Sequence, residues 1–414
     1  MWKEKKIMRD STLEALTIKN NKGERLYDPD SVKEHTAMYY ENLYKGKEYT
    51  YHPYHDEVNR KMTKYVNDKS HDGVDYNMPP TVKEIYEAIM GKTNGKPTTD
   101  IKNEMLKRPG ETMSKFITPL IHNIWEKEEI PSKWNKGSIT SIWKGRGDKG
   151  KLESHRGITT SSAIGTILNT LIDNRIQTVV PFTQAQGGGK KGSSTCDHLF
   201  ILRAIIDIAK KDKKEGYVTY YDVSKAYDHA DSNDMLVTMW DHGFKGKAWR
   251  LLAKLNTNLK VSIKTRHGET RTVEMFVGGK QGSRLTGRMF GKQMDTLADE
   301  MSELDEGFSL SPLFKIPVLL WVNDVITFAE GNTNQERTLS EVDNFGRKHK
   351  LQWGKEKCKV MHIGKHHENE QKDREWKLGD LTIDEFDHYK YLGDEITSDG
   401  KSKSNLEKQS QSLP

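Results

Sequence analysis

Apolar residues recur along this chain with two periods, near 3.6 and near 2, and the switches between them mark its elements. Residues 1–75 are polar and broken, except that Val32, Met38, Tyr39 and Leu43 form a rough helical stripe over 30–44, with Asp30 or Ser31 placed to cap it. After Pro80, Thr81 and Glu84 make a capping box, and Ile85, Ala88 and Ile89 follow on one face. A loop is predicted over 91–100, then an alternating strand over 137–143. Ala163, Ile164, Ile167, Leu168, Leu171, Ile172 and Ile176 predict a helix over 161–177 with a buried face. Residues 187–192 read as a flexible basic loop. Ser194 or Thr195 caps the next helix, whose apolar face carries Leu199, Leu202, Ile206 and Ala209.

The second half reads as a sheet crossed by helices. Strands are predicted over 216–223 and 273–277, and a helix over 283–300. Two more strands, 315–321 and 325–329, flank a short turn at 322–324. A Thr333–Glu336 capping box opens a helix that turns Leu339, Val342 and Phe345 inward. A strand over 359–363 and a hairpin ending at 388–396 follow. There are no internal repeats.

Composition narrows the class. The 414 residues suit two or three lobes, and 9% aromatics argue against general disorder despite 30% charged residues. Net charge is only +6, so its placement matters more than its size. Over 133–156 there are seven Lys/Arg against Asp148 and Glu153, a local +5. Over 347–365 there are seven against Glu356, a local +6. Trp134, Trp143 and Trp353 sit beside these clusters, a composition that suits a polyanion with faces to stack on. Solvated loops have the same composition. Two distant cysteines, Cys196 and Cys358, allow no disulfide framework or zinc motif and point to a reducing compartment, cytoplasmic or nuclear. The opening residues lack the apolar stretch of a signal peptide. The longest aliphatic and aromatic run, 318–322, is far too short to span a bilayer, so the protein is expected to be soluble.

The chemistry concentrates in YYDVSKAYD (220–228) and LLWVNDV (319–325). Each places an aspartate, Asp222 or Asp324, where an apolar strand ends. An unpaired charge in an apolar setting is costly. A divalent cation resolves that cost: nucleotidyl transfer uses two metal ions about 3.5–4 Å apart, held by a few carboxylates and the substrate phosphates. Alone, each aspartate also reads as an ordinary turn residue.

A series of motifs in order changes the weighting. NGKPTTDIKNEMLK (94–107), GSITSIWKGRGD with HRGITT (137–160), QAQGGGKKGSSTCDHLFILRAI (184–205), DVSKAYD, GGKQGSRLTG (278–287), WVND (321–324), KLQWGKEKCKVMHIG (350–364) and YKYLGDEI (389–396) resemble the successive blocks of non-LTR, LINE-type retrotransposon reverse transcriptases. The likeness covers about 75–400. It implies an α+β right-hand polymerase with a fingers lobe, a ferredoxin-like antiparallel palm and an absent or vestigial thumb. Its implied divisions are an N-terminal extension (1–75), fingers (76–215), palm (216–375), and a motif E hairpin with a truncated thumb start (376–414). It implies RNA-directed DNA synthesis from RNA template, DNA primer and dNTPs, with Mg²⁺ or Mn²⁺, no membrane, and a separate or missing endonuclease domain.

Roles follow by position within the motifs. Asp222 and Asp324 resemble the metal-binding aspartates. Tyr227 resembles the gate that rejects a ribose 2′-hydroxyl. Gln281 and Gly282 resemble the pair lining the nucleotide pocket, Lys144 and Arg156 the fingers cations over the triphosphate, and Lys357 the lysine that protonates leaving pyrophosphate. The chain departs from the pattern at Asn323, where the family has the first aspartate of an Asp-Asp pair, and at Ser283–Arg284, where Asp-Pro is common. An amide oxygen can coordinate a cation but brings no charge. Two other classes therefore stay open: a non-catalytic nucleic-acid-binding remnant, and a maturase or RNA-dependent RNA polymerase, against which Tyr227 speaks.

Overall fold

The computed structural model describes residues 17–365 and 375–400. The chain forms two compact units, each assembled from separated stretches. The first comprises residues up to Glu48, Asp56–Pro181 and Tyr227–Met289. The second comprises Tyr49–His55, Phe182–Ala226 and the chain from Phe290 onward.

The second unit is built on a six-stranded sheet. Its elements are helix α1 (Thr195–Lys211), β1 (Glu215–Asp222), helix α2 (Arg284–Glu303, in this unit from Phe290), β2 (Val318–Trp321), β3 (Asp324–Glu330), helix α3 (Asn332–Lys348), β4 (Lys359–Gly364), β5 (Trp376–Leu378) and β6 (Leu381–Glu385). The strand order is β5-β6-β4-β1-β3-β2. Four of its strands, β4-β1-β3-β2, are antiparallel and connected β-α-β-β-α-β, the ferredoxin-like plan the motif series implies. Beyond that plan, β6 adds parallel to β4 and β5 antiparallel to β6.

Alternation sorts the strands into two faces. Val218, Tyr220, Leu319, Ile326, Phe328, Met361 and Ile363 pack on Leu202, Ile205, Ile206 and Ala209 of α1. The other face meets α3, whose Gln335 Nε2 donates to Thr219 Oγ1 at 2.7 Å. Leu339, Val342 and Phe345 are buried as expected. With both faces covered, β1 is buried from Gly216 to Tyr221, which is why it reads as a nearly unbroken apolar run.

The first unit holds a five-stranded sheet. Lys136–Trp143 pairs antiparallel with His155–Thr160 and parallel with Leu259–Thr265, which also carries Gly268–Glu269 and Val273–Met275. The helix Pro29–Tyr44 supplies Ala37, Tyr40 and Tyr44 to its core. Arg250 is the unit's main buried cation. Its side chain is 4% exposed, and Nε and Nη2 hold both oxygens of Glu128 at 2.8 and 2.7 Å while Nη2 also meets Asp72 at 2.8 Å. Arg250→Met strands two acidic groups, and a loss of about 3–5 kcal/mol in a urea titration is expected; a change under about 1 kcal/mol would show the cluster to be solvent-screened.

Several predicted elements shift. The first helix begins at Pro29, and its cap is Asp28, whose Oδ2 accepts from Ser31 N at 2.8 Å. The helix predicted over 161–177 runs Gly165–Val179, because Asp100 Oδ1 captures the Ala163 N–H ahead of it. Residues 315–321 split at Pro317, which ends Phe314–Ile316 before β2 begins. Helix α3 starts at Asn332 behind an N-cap glycine, Gly331, so Thr333 and Glu336 lie inside it and make no capping box. The strand over 273–277 stops at Met275, since Phe276 N and Val277 N turn to Tyr44 O. The helix from 283 runs Arg284–Glu303. Ser194 is the cap of α1, with Asp197 completing its box. Most of the truncated thumb start predicted at the C-terminal end, residues 401–414, lies outside the described residues.

Candidate active site

The second unit brings Asp222 and Asp324 together. Asp222 ends β1 and Asp324 opens β3, and the two are directly opposed in the antiparallel register, with Trp321 opposite Asp324 on the far side. Opposed residues have Cβ atoms about 4.5–5.5 Å apart. Parity puts both carboxylates on the face that carries Tyr220 and Ile326, at the end of that apolar layer. Like charges so placed repel. Burial first, and then the Asp222 carboxylate, push the Asp324 carboxyl above the usual range, with Lys357 pulling the other way.

The Lys357 side chain is bonded into this pair. Its Nζ lies 2.7 Å from Asp222 Oδ2 and the side chain is 44% exposed, so a solvent-reaching ammonium partly neutralises the site. Three contacts place it. Gly354 N donates to Asp222 O at 2.9 Å, Lys357 N donates to Gly354 O at 2.9 Å, and Tyr389 Oη donates to Lys357 O at 2.9 Å. Tyr389 in turn stacks on Tyr220, with ring centroids 4.1 Å apart. The segment 352–358 is thus stitched to the end of β1 and to the hairpin His388–Thr397. Burial pushes the neighbouring Cys358 thiol up to about 11, leaving it a packing residue.

Asn323 is half-buried in the two-residue turn between Trp321 and Asp324. The turn's first residue, Val322, has φ +58°, a left-handed conformation that a β-branched residue rarely adopts. Among the described residues no group of three His, Cys, Asp or Glu could hold a metal. Asp222 and Asp324 bring two carboxylates to one end of the sheet, with Asn323 in the adjoining turn, and carboxylate oxygens suit a hard divalent cation.

The remaining expected residues lie in the first unit. Tyr227 sits on the short helix Ala226–His229, and its carbonyl accepts from Gly279 N at 2.9 Å. Gly278 closes on the same turn: its φ is +81°, and a Cβ there would stand 2.5 Å from Asp228 O. Gln281 O accepts from Thr159 N at 2.9 Å, and Gly282 has φ +98°, open only to glycine without strain. The loop 278–282 is therefore tied to Tyr227 on one side and to the strand of Arg156 on the other. Arg156 is exposed, opposite Ile142. Lys144 Nζ donates to Glu153 O at 2.8 Å, across the turn that joins the two strands.

Lys280, beside Gln281, is a buried cation that its neighbouring glycines gave no reason to expect. It is 5% exposed, burial pushes its amine down to about 8, and Nζ donates to Trp134 O at 2.8 Å. The flexible basic loop predicted over 187–192 is instead held: Gly187 and Gly188 are buried and packed, and Lys190 Nζ is anchored on Thr183 O at 3.1 Å.

A family model described as reverse transcriptase (RNA-dependent DNA polymerase) matches residues 144–396, more than half of the chain. The chain belongs to the reverse transcriptase family. The reverse transcriptase family read from the motif series is borne out, and the structure has the mixed helix-and-sheet class expected with it. Similar proteins include the Pol polyprotein of the type-1 retrotransposable element R2 of Popillia japonica, 25% identical over 222 residues, 53% of this chain and 31% of that protein. A protein of transposon TX1 of Xenopus laevis is 19% identical over 80% of this chain and 26% of its own length. The probable RNA-directed DNA polymerase of the Drosophila melanogaster transposon BS is 24% identical over 50% and 23%. The chain thus spans less than a third of each of these relatives. Among solved structures it is similar to telomerase of Candida tropicalis (14% identity, TM-score 0.42, 70% of this chain and 60% of that one) and of Candida albicans (11%, 0.45, 70% and 50%). Reverse transcriptases generally use a divalent metal. No described helix of this one is long and apolar enough to cross a membrane.

The raised Asp324 carboxyl has a consequence for stability. A carboxyl whose folded value exceeds its unfolded value favours the fold while protonated and loses that contribution as pH rises through the folded value. Without added metal, Asp324→Asn is therefore expected to melt higher than the natural chain at pH 7, with the gap closing towards pH 4. Equal melting temperatures at every pH would show that Asp324 is solvated.

Proposed function

We propose that this chain is the reverse transcriptase domain of a non-LTR retrotransposon, extending a DNA primer with dNTPs along an RNA template. The carrying observation is that Asp222 and Asp324 face each other across paired strand ends, on one face of the sheet, with Asp324 under-compensated. These two carboxylates, with the Asn323 amide oxygen, are the groups that would hold Mg²⁺ or Mn²⁺. When bound, such ions activate the primer hydroxyl and stabilise the leaving pyrophosphate. Lys357 holds an ammonium on Asp222 and is the proton donor we assign to pyrophosphate. By motif position, Tyr227 selects deoxyribose, Gln281 and Gly282 face the nucleotide, and Lys144 and Arg156 meet the triphosphate. Residues 76–215 and 216–375 are the fingers and palm in this reading. RNA, DNA primer and dNTPs are the partners, and a separate or further domain supplies nicking.

One observation favours a second reading. Asn323 withdraws a charge from the metal site, which suits a remnant that grips nucleic acid without polymerising. Primer extension separates the two: the chain and its Asn323→Asp variant are each given a labelled DNA primer on an RNA template, with dNTPs or rNTPs. Extension by the variant with dNTPs supports the polymerase. Binding without extension by either supports the remnant, and equal use of rNTPs removes the role given to Tyr227.

A further inference from the structure

The turn that carries Asn323 and Asp324 is held from outside its own hairpin. Gln186 is completely buried, and its Oε1 accepts from Val322 N at 2.9 Å and from Gly188 N at 3.0 Å, while Nε2 reaches Gly291 O at 3.4 Å. Its backbone runs beside the outer edge of β2: Leu320 N donates to Ala185 O at 2.8 Å and Gly187 N to Leu320 O at 2.9 Å. Two glycines let this strap close. A Cβ on Gly187 would lie 2.6 Å from His198 Nε2 and 2.8 Å from the Trp321 ring, and one on Gly188 would lie 2.6 Å from Val322 Cγ2 and 2.8 Å from Val322 N. Neither has a positive φ, so each is glycine for close approach and not for its conformation.

Val322 shows why the strap matters. A β-branched residue in the left-handed region costs about 1–3 kcal/mol and persists only where its surroundings over-determine it. A two-residue hairpin turn favours a positive φ at its first residue, but it normally places glycine there. The bond from Val322 N to a buried side-chain amide adds a second hold on valine in that position, and an amide stranded without partners there is costly.

We propose that Gln186 is a positioning residue for the metal-binding turn: its buried amide pins Val322 and so fixes where Asn323 and Asp324 project. The inference rests on the polymerase reading of that turn, but its first test does not need activity. Hydrogen–deuterium exchange is followed on the full chain, on Gln186→Met, which removes the acceptor, and on Gln186→Glu, which keeps one. In Gln186→Met the Val322 amide is expected to exchange about tenfold faster or more, while amides of β1 and β4 are unchanged, with Gln186→Glu closer to the natural chain. Gly188→Ala, which drives a methyl into Val322, is expected to give the same local change and stands in if Gln186→Met does not fold. In the Asn323→Asp background, Gln186→Met should lower kcat and raise the Mg²⁺ concentration for half-maximal rate, with KM for dNTP unchanged. Unaltered Val322 exchange, or faster exchange spread over the whole sheet, overturns the proposal. If Asn323→Asp itself extends no primer, the polymerase reading fails while the exchange result still decides whether Gln186 pins the turn.

Discussion

Asn323→Asp is expected to raise the rate of RNA-templated primer extension by about a thousandfold. In the proposed polymerase reading, the turn residue beside Asp324 shares the cation of the two opposed aspartates, and asparagine brings an oxygen without the charge. Each 1.36 kcal/mol of transition-state stabilisation is a factor of ten, so a loss of about 4 kcal/mol of charge interaction corresponds to three decades. The substitution is nearly isosteric, so the fold should not change. Mg²⁺ dependence adds a second readout: the variant should reach half its maximal rate at a lower metal concentration. A gain of less than about threefold would mean that Asn323 lies away from the reacting atoms.

In that activated background, Asp222→Asn is expected to remove extension almost entirely, by about a thousandfold or more. The change keeps size and hydrogen-bonding capacity. It removes the one charge that both opposes Asp324 and holds Lys357 Nζ. The effect on folding should have the opposite sign, because a like charge leaves the neighbourhood of Asp324. Lower activity together with an unchanged or higher melting temperature in metal-free buffer is thus the expected signature. Loss of both activity and stability would assign Asp222 a structural role through its pair with Lys357.

Much of the second unit was legible because its chemistry and its packing coincide. β1 is buried on both faces, so it reads as an apolar run that stops at an aspartate. Leu339, Val342 and Phe345 mark the inward face of α3. What the sequence could not supply was register: nothing local says that Asp222 faces Asp324 across more than 100 residues. The first unit was harder for physical reasons. The helix Ser232–Asp241 is buried from Asp234 to Trp240 and shows no stripe. The helix Glu111–Lys127 carries Pro119 inside it, a residue that reads as a breaker. The strand His155–Thr160 is mostly polar and was visible only as part of a motif. Gln186 was hidden in a glycine-rich stretch that looks flexible, and nothing local distinguishes it from Gln184 two residues before.

Metal binding tests the central claim without nucleic acid or turnover. Mn²⁺ is titrated into the natural chain, Asp222→Asn and Asp324→Asn, and free Mn²⁺ is followed by electron paramagnetic resonance. Binding by the natural chain that weakens about tenfold or more in either variant is the expected result, since each substitution removes one of the two opposed carboxylates. Identical binding curves for all three would contradict the account, because the cation would then sit somewhere other than the paired ends of β1 and β3.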